Sequence, residues 1–296
     1  MSMILGTRGS KLALAQADIA AMRLRAVDSS LNVKIVKITT SGDKDQRTSL
    51  SQIGGKGVFI KELEQALIDG TVDLAVHSFK DITSDIPSGL EMCAFFKPES
   101  VCDVLISRDN LSLGKLPQNA VIGTGSMRRR ALLSRLRPDL KFSDIRGNID
   151  TRLSKLDKGL YDAIVLSEAG LIRLGLEEKI SCRFDPSIFY PAPGQGVIAL
   201  ETRKSDKRVR DLCLKAGDDL QRIISLAELS ALTSLGFDCR TPFGVYSNIS
   251  GDLLNMRGFY VNPLTNNFIE KSVSGPISSS VELGEKMGNK FLGRGN

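Results

Sequence analysis

Short apolar runs alternate with longer stretches of helical period through the first two thirds of this chain, a pattern that limits the fold to sheets with helices on their faces. Ser10 can cap a helix running to about Arg25, on which Leu12, Ala15, Ile19 and Met22 recur at helical spacing. A strand is predicted from Val33 to Thr40, ended by Ser41-Gly42-Asp43. A helix from Val58 to Asp69, closed by Gly70, then leads into a buried-type strand from Val72 to Val76. The rhythm restarts after Lys97-Pro98-Glu99-Ser100. Strands are predicted at Val101 to Ser107, Val121 to Ile122, near Lys141 to Ile145 and at Ala163 to Leu166, with helices from Ser126 to Leu136, Asp150 to Lys158 and Glu168 to Leu174. Tyr190-Pro-Ala-Pro-Gly-Gln-Gly196 is the densest Pro/Gly punctuation and reads as a hinge or a turn against ligand, with a domain boundary beside it. Beyond it come a strand from Val197 to Glu201, a helix from Lys207 to Lys215 and an amphipathic segment from Leu220 to Leu235. Strands around Val245 to Ile249, Leu254 to Tyr260 and Phe268 to Val273, then a helix from Ser280 to Phe291, predict a small antiparallel sheet with helices on one side.

At 296 residues the chain exceeds one core, so two or three domains are expected. No uninterrupted apolar stretch reaches membrane-span length and no signal-peptide core precedes Ile4-Leu5-Gly6, so a cytoplasmic protein with no membrane partner is expected. A net charge of +6 admits nucleic acid, membrane surface or acidic small molecules as partners. The basic residues form no tail or stripe, and with only 5% aromatic residues there is little for bases to stack on, which argues against nucleic acid. Five cysteines, Cys93, Cys102, Cys182, Cys213 and Cys239, stand singly with no CxxC pair, so reduced thiols and no metal site are expected.

Three times in the first half an arginine lies in or just after a glycine turn: Arg8-Gly9-Ser10, Gly123-Thr124-Gly125-Ser126-Met127-Arg128-Arg129-Arg130, and Arg146-Gly147-Asn148 with Arg152 following. Glycine lets consecutive backbone N–H groups face an anion, a following helix N-terminus adds its dipole, and a guanidinium fork grips a carboxylate or phosphate. Repetition of this device, with Gly54-Gly55-Lys56-Gly57, points to a ligand bearing several separate negative groups. It is not a nucleotide signature, because Arg128 stands where a dinucleotide fingerprint needs glycine and the Gly54 turn lacks the Walker spacing. Arg128 to Arg130 could be a solvated helix face. Cations at a helix N-terminus oppose the dipole by a few tenths of a kcal/mol or so unless an anion compensates, which favours binding for at least two of them. Lys80-Asp81 follows a buried-type strand, where α/β sheets place ligand groups, though an ordinary strand-end ion pair would read the same. His77, the only histidine, reads as a core residue or a chemical one. Cys239 lies in a loop between Gly236 and Gly244 beside Arg240, a setting that favours an accessible thiolate; the other four cysteines look like small core hydrophobes.

Together these segments resemble the porphobilinogen deaminase (hydroxymethylbilane synthase) family over nearly the whole chain. The resemblance rests on Thr7-Arg-Gly-Ser10 through Gln16, Gly54-Gly-Lys-Gly-Val-Phe59 with Lys61-Glu-Leu-Glu64, Ala75-Val-His-Ser-Phe-Lys-Asp81, and Gly123 through Arg129. It continues in Arg146-Gly-Asn148 with Thr151 to Leu156, Ala169-Gly-Leu-Ile-Arg173, Pro191 through Gly196, and the Cys239 loop. It implies an α/β fold of three domains, the first two like a type II periplasmic binding protein with mixed sheets, the third a small antiparallel sheet packed with helices. The implied boundaries are 1–99 with 196–217, 100–195, and 218–296. The implied activity is that of a transferase that deaminates porphobilinogen and joins four units head to tail into the linear tetrapyrrole hydroxymethylbilane. The implied cofactor is a dipyrromethane primer joined to Cys239 by a thioether. The implied partners are a small acidic pyrrole and, downstream, uroporphyrinogen-III synthase, with the chain itself a monomer.

Carried over residue by residue, the resemblance makes Asp81 the catalytic carboxylate, which stabilises the cationic azafulvene left as ammonia departs and moves protons. Lys80, Asp81, Ser78, Thr124, Ser126, Arg128, Arg129, Arg146 and Gly147 would hold the cofactor; Arg8, Ser10, Lys56, Phe59, Arg146, Arg152, Arg173 and Gln195 would hold substrate. Every pyrrole carries an acetate and a propionate, so a growing chain calls for many guanidinium forks. The sequence departs from the common family pattern at Phe79, at Glu168 before Ala169-Gly170, and at Arg240-Thr241; the carboxylate of Glu168 is expected to alter local binding of an acidic chain. Two other readings use the same features: a solute-binding or ligand-sensing protein with a two-domain cleft, which calls for a signal peptide or a helix-turn-helix, and a nucleic-acid binder, which calls for steep salt dependence.

Overall fold

The computed structural model describes residues 2–40, 60–82, 86–236, 242–262 and 265–294. The chain divides into two compact units, Met1–Pro98 with Val197–Arg222, and Glu99–Gly196 with Ile223–Asn296. It leaves the first unit after Pro98 and re-enters it at Val197, at the end of the Pro/Gly-rich segment.

In the first unit, strands β1 (Ser2–Arg8), β2 (Asn32–Ile38), β3 (Leu74–Ser78), β4 (Leu90–Phe96) and β10 (Ile198–Arg203) form a five-stranded sheet in the order β2-β1-β3-β10-β4. β1 runs parallel to β2 and β3, whereas β10 is antiparallel to both β3 and β4. Period-two alternation divides the side chains between two cores. Met3, Leu5, Leu74 and Val76 face helices α1 (Lys11–Val27) and α6 (Lys207–Ala216), and Ile4 and Ala75 face α2 (Lys61–Ile68) through Leu63, Ala66 and Leu67. Ser10 caps α1 as the sequence predicts, its Oγ accepting from Ala13 N–H at 3.2 Å.

The buried face of α1 differs from the predicted one. Ala13, Gln16, Ala17, Ala20, Ala21 and Leu24 pack inward, while Met22 is 63% exposed. The small alanines let the helix approach the sheet closely, so packing geometry outweighs side-chain hydrophobicity. The sequence reading also leaves β1, β4 and the two-residue β9 (Cys182–Arg183) without an assignment.

The second unit contains another mixed sheet, β7 (Lys141–Ser143), β6 (Val121–Gly123), β8 (Ala163–Ser167), β5 (Asp103–Ser107) and β9, in that order. β6 is parallel to β7 and β8, and β5 is antiparallel to β8 and β9. Helix α3 (Met127–Leu136) covers one face with Leu132 and Leu133. On the other face Val104, Ile106, Ile164 and Leu166 meet Leu156 of α4 (Ile149–Asp157) and Leu171 of α5 (Glu168–Ile172).

The same unit carries a third sheet, the antiparallel β11 (Phe243–Ser250), β12 (Leu253–Val261) and β13 (Phe268–Pro276). Alternation along β12 sends Leu254, Met256 and Tyr260 toward α7 (Asp219–Ser234) and α8 (Ser280–Phe291). Phe259 instead joins Tyr190 and the α3-side core of the second sheet, stacking on Phe268 at 4.8 Å. Helix α8 lies so close to α7 that a Cβ at Gly284 would stand 2.1 Å from the carbonyl oxygen of Ala227, a distance only glycine tolerates. The fold is therefore the expected α/β class, two mixed sheets and a small antiparallel one.

Of the cysteines expected in the core, Cys93 and Cys213 are buried, but Cys102 and Cys182 are only partly so. Cys102 precedes β5 and Cys182 opens the edge strand β9, where the local apolar pattern overstates burial.

Candidate functional site

The polar residues singled out in the sequence stand at strand and helix ends within each unit. In the first unit Arg8 ends β1, Ser10 caps α1, and Ser78, Lys80 and Asp81 follow one another through the end of β3 into a single 3-10 turn, Phe79–Asp81. Because β1 and β3 are parallel with Gly6 opposite Ala75, Arg8 and Ser78 lie at the same, carboxyl edge of the sheet. Gln16 of α1 donates through Nε2 to Ser78 Oγ at 2.9 Å, and Phe79 N–H donates to Val197 carbonyl oxygen at 2.9 Å. Lys80 is half-buried and Asp81 exposed. Phe79 is buried edge-on against Phe95 with ring centroids 5.0 Å apart, so its side chain fills the core beneath the turn.

In the second unit Ser126 caps α3, and Arg128 and Arg129 lie in its first turn. Both are buried, and both grip one carboxylate. Arg128 Nη1 donates to Asp103 Oδ2 at 2.7 Å, while Arg129 donates through Nε and Nη2 to Oδ1 at 3.0 and 2.7 Å. Arg130 donates to Asp144 Oδ1 at 2.6 Å and to the Thr124 carbonyl. The cationic start of α3 is thus compensated from inside the protein. Burial lowers the pKa of Arg128, and the Asp103 charge opposes that shift. Arg128 also donates to Tyr190 carbonyl oxygen and Gln195 Oε1, and Arg129 to Val165 carbonyl oxygen, so each engages three of its five N–H groups in these bonds.

The remaining residues of this group shape backbone as much as they present charge. Arg146 and Gly147 precede α4, Gly147 at φ +106, where a Cβ would come within 2.6 Å of Thr151. Arg152 Nε donates to Gly147 carbonyl oxygen at 2.7 Å and Lys155 Nζ to that of Arg146 at 3.0 Å. Arg173 pairs with Glu99 at 2.6 Å and donates to Gly196 carbonyl oxygen, so it holds the two ends of this unit's first segment; its Nε is buried with no hydrogen-bond partner among the described residues. Gln195 Nε2 donates to Val101 carbonyl oxygen at 2.8 Å. Lys56, Phe59 and Cys239 lie outside the described residues.

Glu168, the carboxylate expected to affect binding of an acidic chain, is buried. It accepts from Ser100 Oγ at 2.7 Å and from Arg183 Nε, and Ser100 Oγ accepts from Cys102 N–H at 3.0 Å, so the carboxylate ties local backbone together.

The sequence reading misses Asp103, Gln16 and Glu228. A carboxylate inside the apolar run Val101 to Ser107 is a usable signal, since a buried charge requires a partner. Glu228, buried on α7, accepts from Gly194 N–H at 2.8 Å, and burial pushes its pKa from 4.5 up to about 7. The folded-state value is raised, so this group's contribution favours folding below pH 4.5 and is lost as pH rises through about 7. Glu228→Gln keeps an acceptor for Gly194. Unfolding titrations from pH 4.5 to 7.5 should show the variant losing less stability than the wild type across that window, by roughly 3 kcal/mol.

The sheet orders, with one antiparallel strand inserted in each mixed sheet, define an α/β protein of two mixed sheets with a third, antiparallel sheet. Solved structures similar to it include the VFT2 domain of Bordetella pertussis BvgS (18% identity, 76% of this chain and 91% of that one, TM-score 0.43) and the methionine binding protein MetQ (12% identity, 73% and 89%, TM-score 0.46). Residues 3–211 match the family model described as porphobilinogen deaminase, dipyromethane cofactor binding domain, and residues 223–293 match that of the porphobilinogen deaminase C-terminal domain. A porphobilinogen deaminase of Nitrobacter winogradskyi is 41% identical over 298 residues, 97% of this chain and 94% of that protein. The chain belongs to the porphobilinogen deaminase family. Among the described residues no helix is long and apolar enough to cross a membrane.

Proposed function

We propose that Asp81 is the catalytic carboxylate and Cys239 the attachment point of the cofactor in this chain. As a member of its family the chain is a transferase that deaminates porphobilinogen and polymerises it head to tail into hydroxymethylbilane, with release of ammonia. The observation that carries the assignment of Asp81 is its placement: an exposed carboxylate in the turn directly after a buried strand, at the carboxyl edge of the sheet. As ammonia leaves porphobilinogen, positive charge spreads onto the ring nitrogen, and a fixed carboxylate beside that N–H stabilises it more than it stabilises the ground state. The same carboxylate takes up and returns protons as the amine departs and the surplus ring hydrogen is lost.

The donor set suits dipyrromethane, whose acetates and propionates need several cationic partners. Arg128 and Arg129 each have two N–H groups outside the bonds described, and Thr124 and Ser126 add hydroxyls. When bound, the cofactor supplies the free pyrrole carbon from which the chain grows. Ser78, Lys80, Arg146 and Gly147 join these groups in holding it, with Cys239 as the thioether sulfur. Arg8, Ser10, Lys56, Phe59, Arg152, Arg173 and Gln195 hold incoming substrate. The chain works as a cytoplasmic monomer in three domains, 1–99 with 196–217, 100–195 and 218–296, and passes its linear product to uroporphyrinogen-III synthase. The separate core of the third sheet and the match of the C-terminal family model to residues 223–293 support the three-domain division.

Asp81→Glu tests the central role. One added methylene displaces the carboxylate by about an ångström, which should lower kcat on the order of a hundredfold while the purified protein keeps its primer mass. Near wild-type kcat would remove Asp81 from the chemistry.

A further inference from the structure

One buried polar cluster has no part in the mechanism above, and it lies on the α2 face of the first sheet, opposite the face where Gln16 meets Ser78. His77 Nε2 is 2.9 Å from Glu201 Oε2, and neither side chain is more than 3% exposed. Oε1 of the same glutamate is buried with no hydrogen-bond partner among the described residues. Glu64, in the first turn of α2, completes the group. Burial and then the Glu201 charge raise its pKa to about 7, with His77 opposing. Such a cluster costs stability, because apolar side chains at the same positions would leave no oxygen unpaired. Its position suggests what that cost supports.

β10 pairs Ala199 with His77 and Ile198 with Ser78, and Val197 then accepts from Phe79 at the first residue of the turn that carries Lys80 and Asp81. Main-chain bonds set the strand pairing, but β3 is only five residues long and β1 pairs with its first two residues, so Val76 to Ser78 are held by pairing with β10. The bond from Glu201 to His77 is a side-chain pin between the two strands, four residues before Asp81. We infer that Glu201 is a positioning residue for the reaction: through His77 it fixes the end of β3 and so the placement of the Asp81 carboxylate. This inference rests on the reading of Asp81 as the catalytic group.

The test is steady-state turnover of porphobilinogen by the primer-loaded enzyme, with thermal unfolding and intact mass on the same samples. The variants are Glu201→Gln, Glu201→Leu and the double variant His77→Leu/Glu201→Leu, with Asp81→Glu alongside. Glu201→Leu should lower kcat by about tenfold to a hundredfold with KM changed by less than about threefold, since the groups that bind substrate are untouched and only alignment is lost. Glu201→Gln should lose less, because its amide oxygen still accepts from His77. The double variant, apolar at both positions, should unfold at or above the wild-type temperature and still turn over slowly; if Glu201→Leu does not fold, this variant and Glu201→Gln decide.

A double variant with wild-type kcat overturns the inference, as does an equal loss in Glu201→Gln and Glu201→Leu, or a loss that merely follows the folded fraction. If Asp81→Glu turns over normally, the reading of Asp81 fails. If Asp81→Glu is slow and the double variant is fast, only the role of Glu201 fails.

Discussion

Natively produced protein should weigh more than its sequence by two linked pyrroles, and Cys239→Ser should weigh what its sequence does and turn over no porphobilinogen above background. In the sequence Cys239 stands between Gly236 and Gly244 and next to Arg240, and the thiolate is the form of a cysteine that attacks carbon. A serine hydroxyl at the same place remains protonated near neutral pH and is far less nucleophilic. The loss should therefore be nearly complete. Without a tether the growing acidic chain has no fixed end, and the entropy saved by holding the reacting carbon in place disappears, worth up to about 7–11 kcal/mol of barrier in the best-oriented cases. Equal masses for wild type and variant, with normal turnover, would refute the assignment of Cys239.

Asp103→Ala should destabilise the second unit by about 3–5 kcal/mol. Asp103 is fully buried and its two oxygens hold Arg128 and Arg129, so removing it leaves two guanidinium groups buried beside each other without their anion. Burial already lowers the Arg128 pKa, which reports the same desolvation. Asp103→Asn retains an acceptor but not the charge and should cost less. Denaturant unfolding followed by a probe in residues 99–196 would measure both; an alanine variant as stable as wild type would mean that solvent or a bound anion replaces the carboxylate.

Elements bounded by strong local signals are legible in the amino-acid sequence. Ser10 and Ser126 announce their helices because a cap hydrogen bond closes within three residues, and the Pro/Gly segment before Val197 marks where the chain changes unit. β4 is not legible in this way. Leu90–Phe96 pairs with β10, whose residues lie about a hundred positions away, and a strand with both faces largely covered shows no alternation to read. The inward face of α1 escapes the periodicity for a related reason, since alanines suited to close approach carry little hydrophobic signal beside an exposed Met22.

The glycine–arginine turns, the Lys80-Asp81 pair and the segment around Cys239 are what point to the family in the sequence, because residue type and order can be read wherever the chain places them. Three-dimensional packing decides which groups answer which charges. Asp103 meets the forks of Arg128 and Arg129, Glu168 accepts from Ser100 and Arg183, and Glu201 reaches His77 across 124 residues of chain. A buried charge selects its partner by proximity in a low-dielectric interior, and proximity between distant stretches arises only when the sheets assemble.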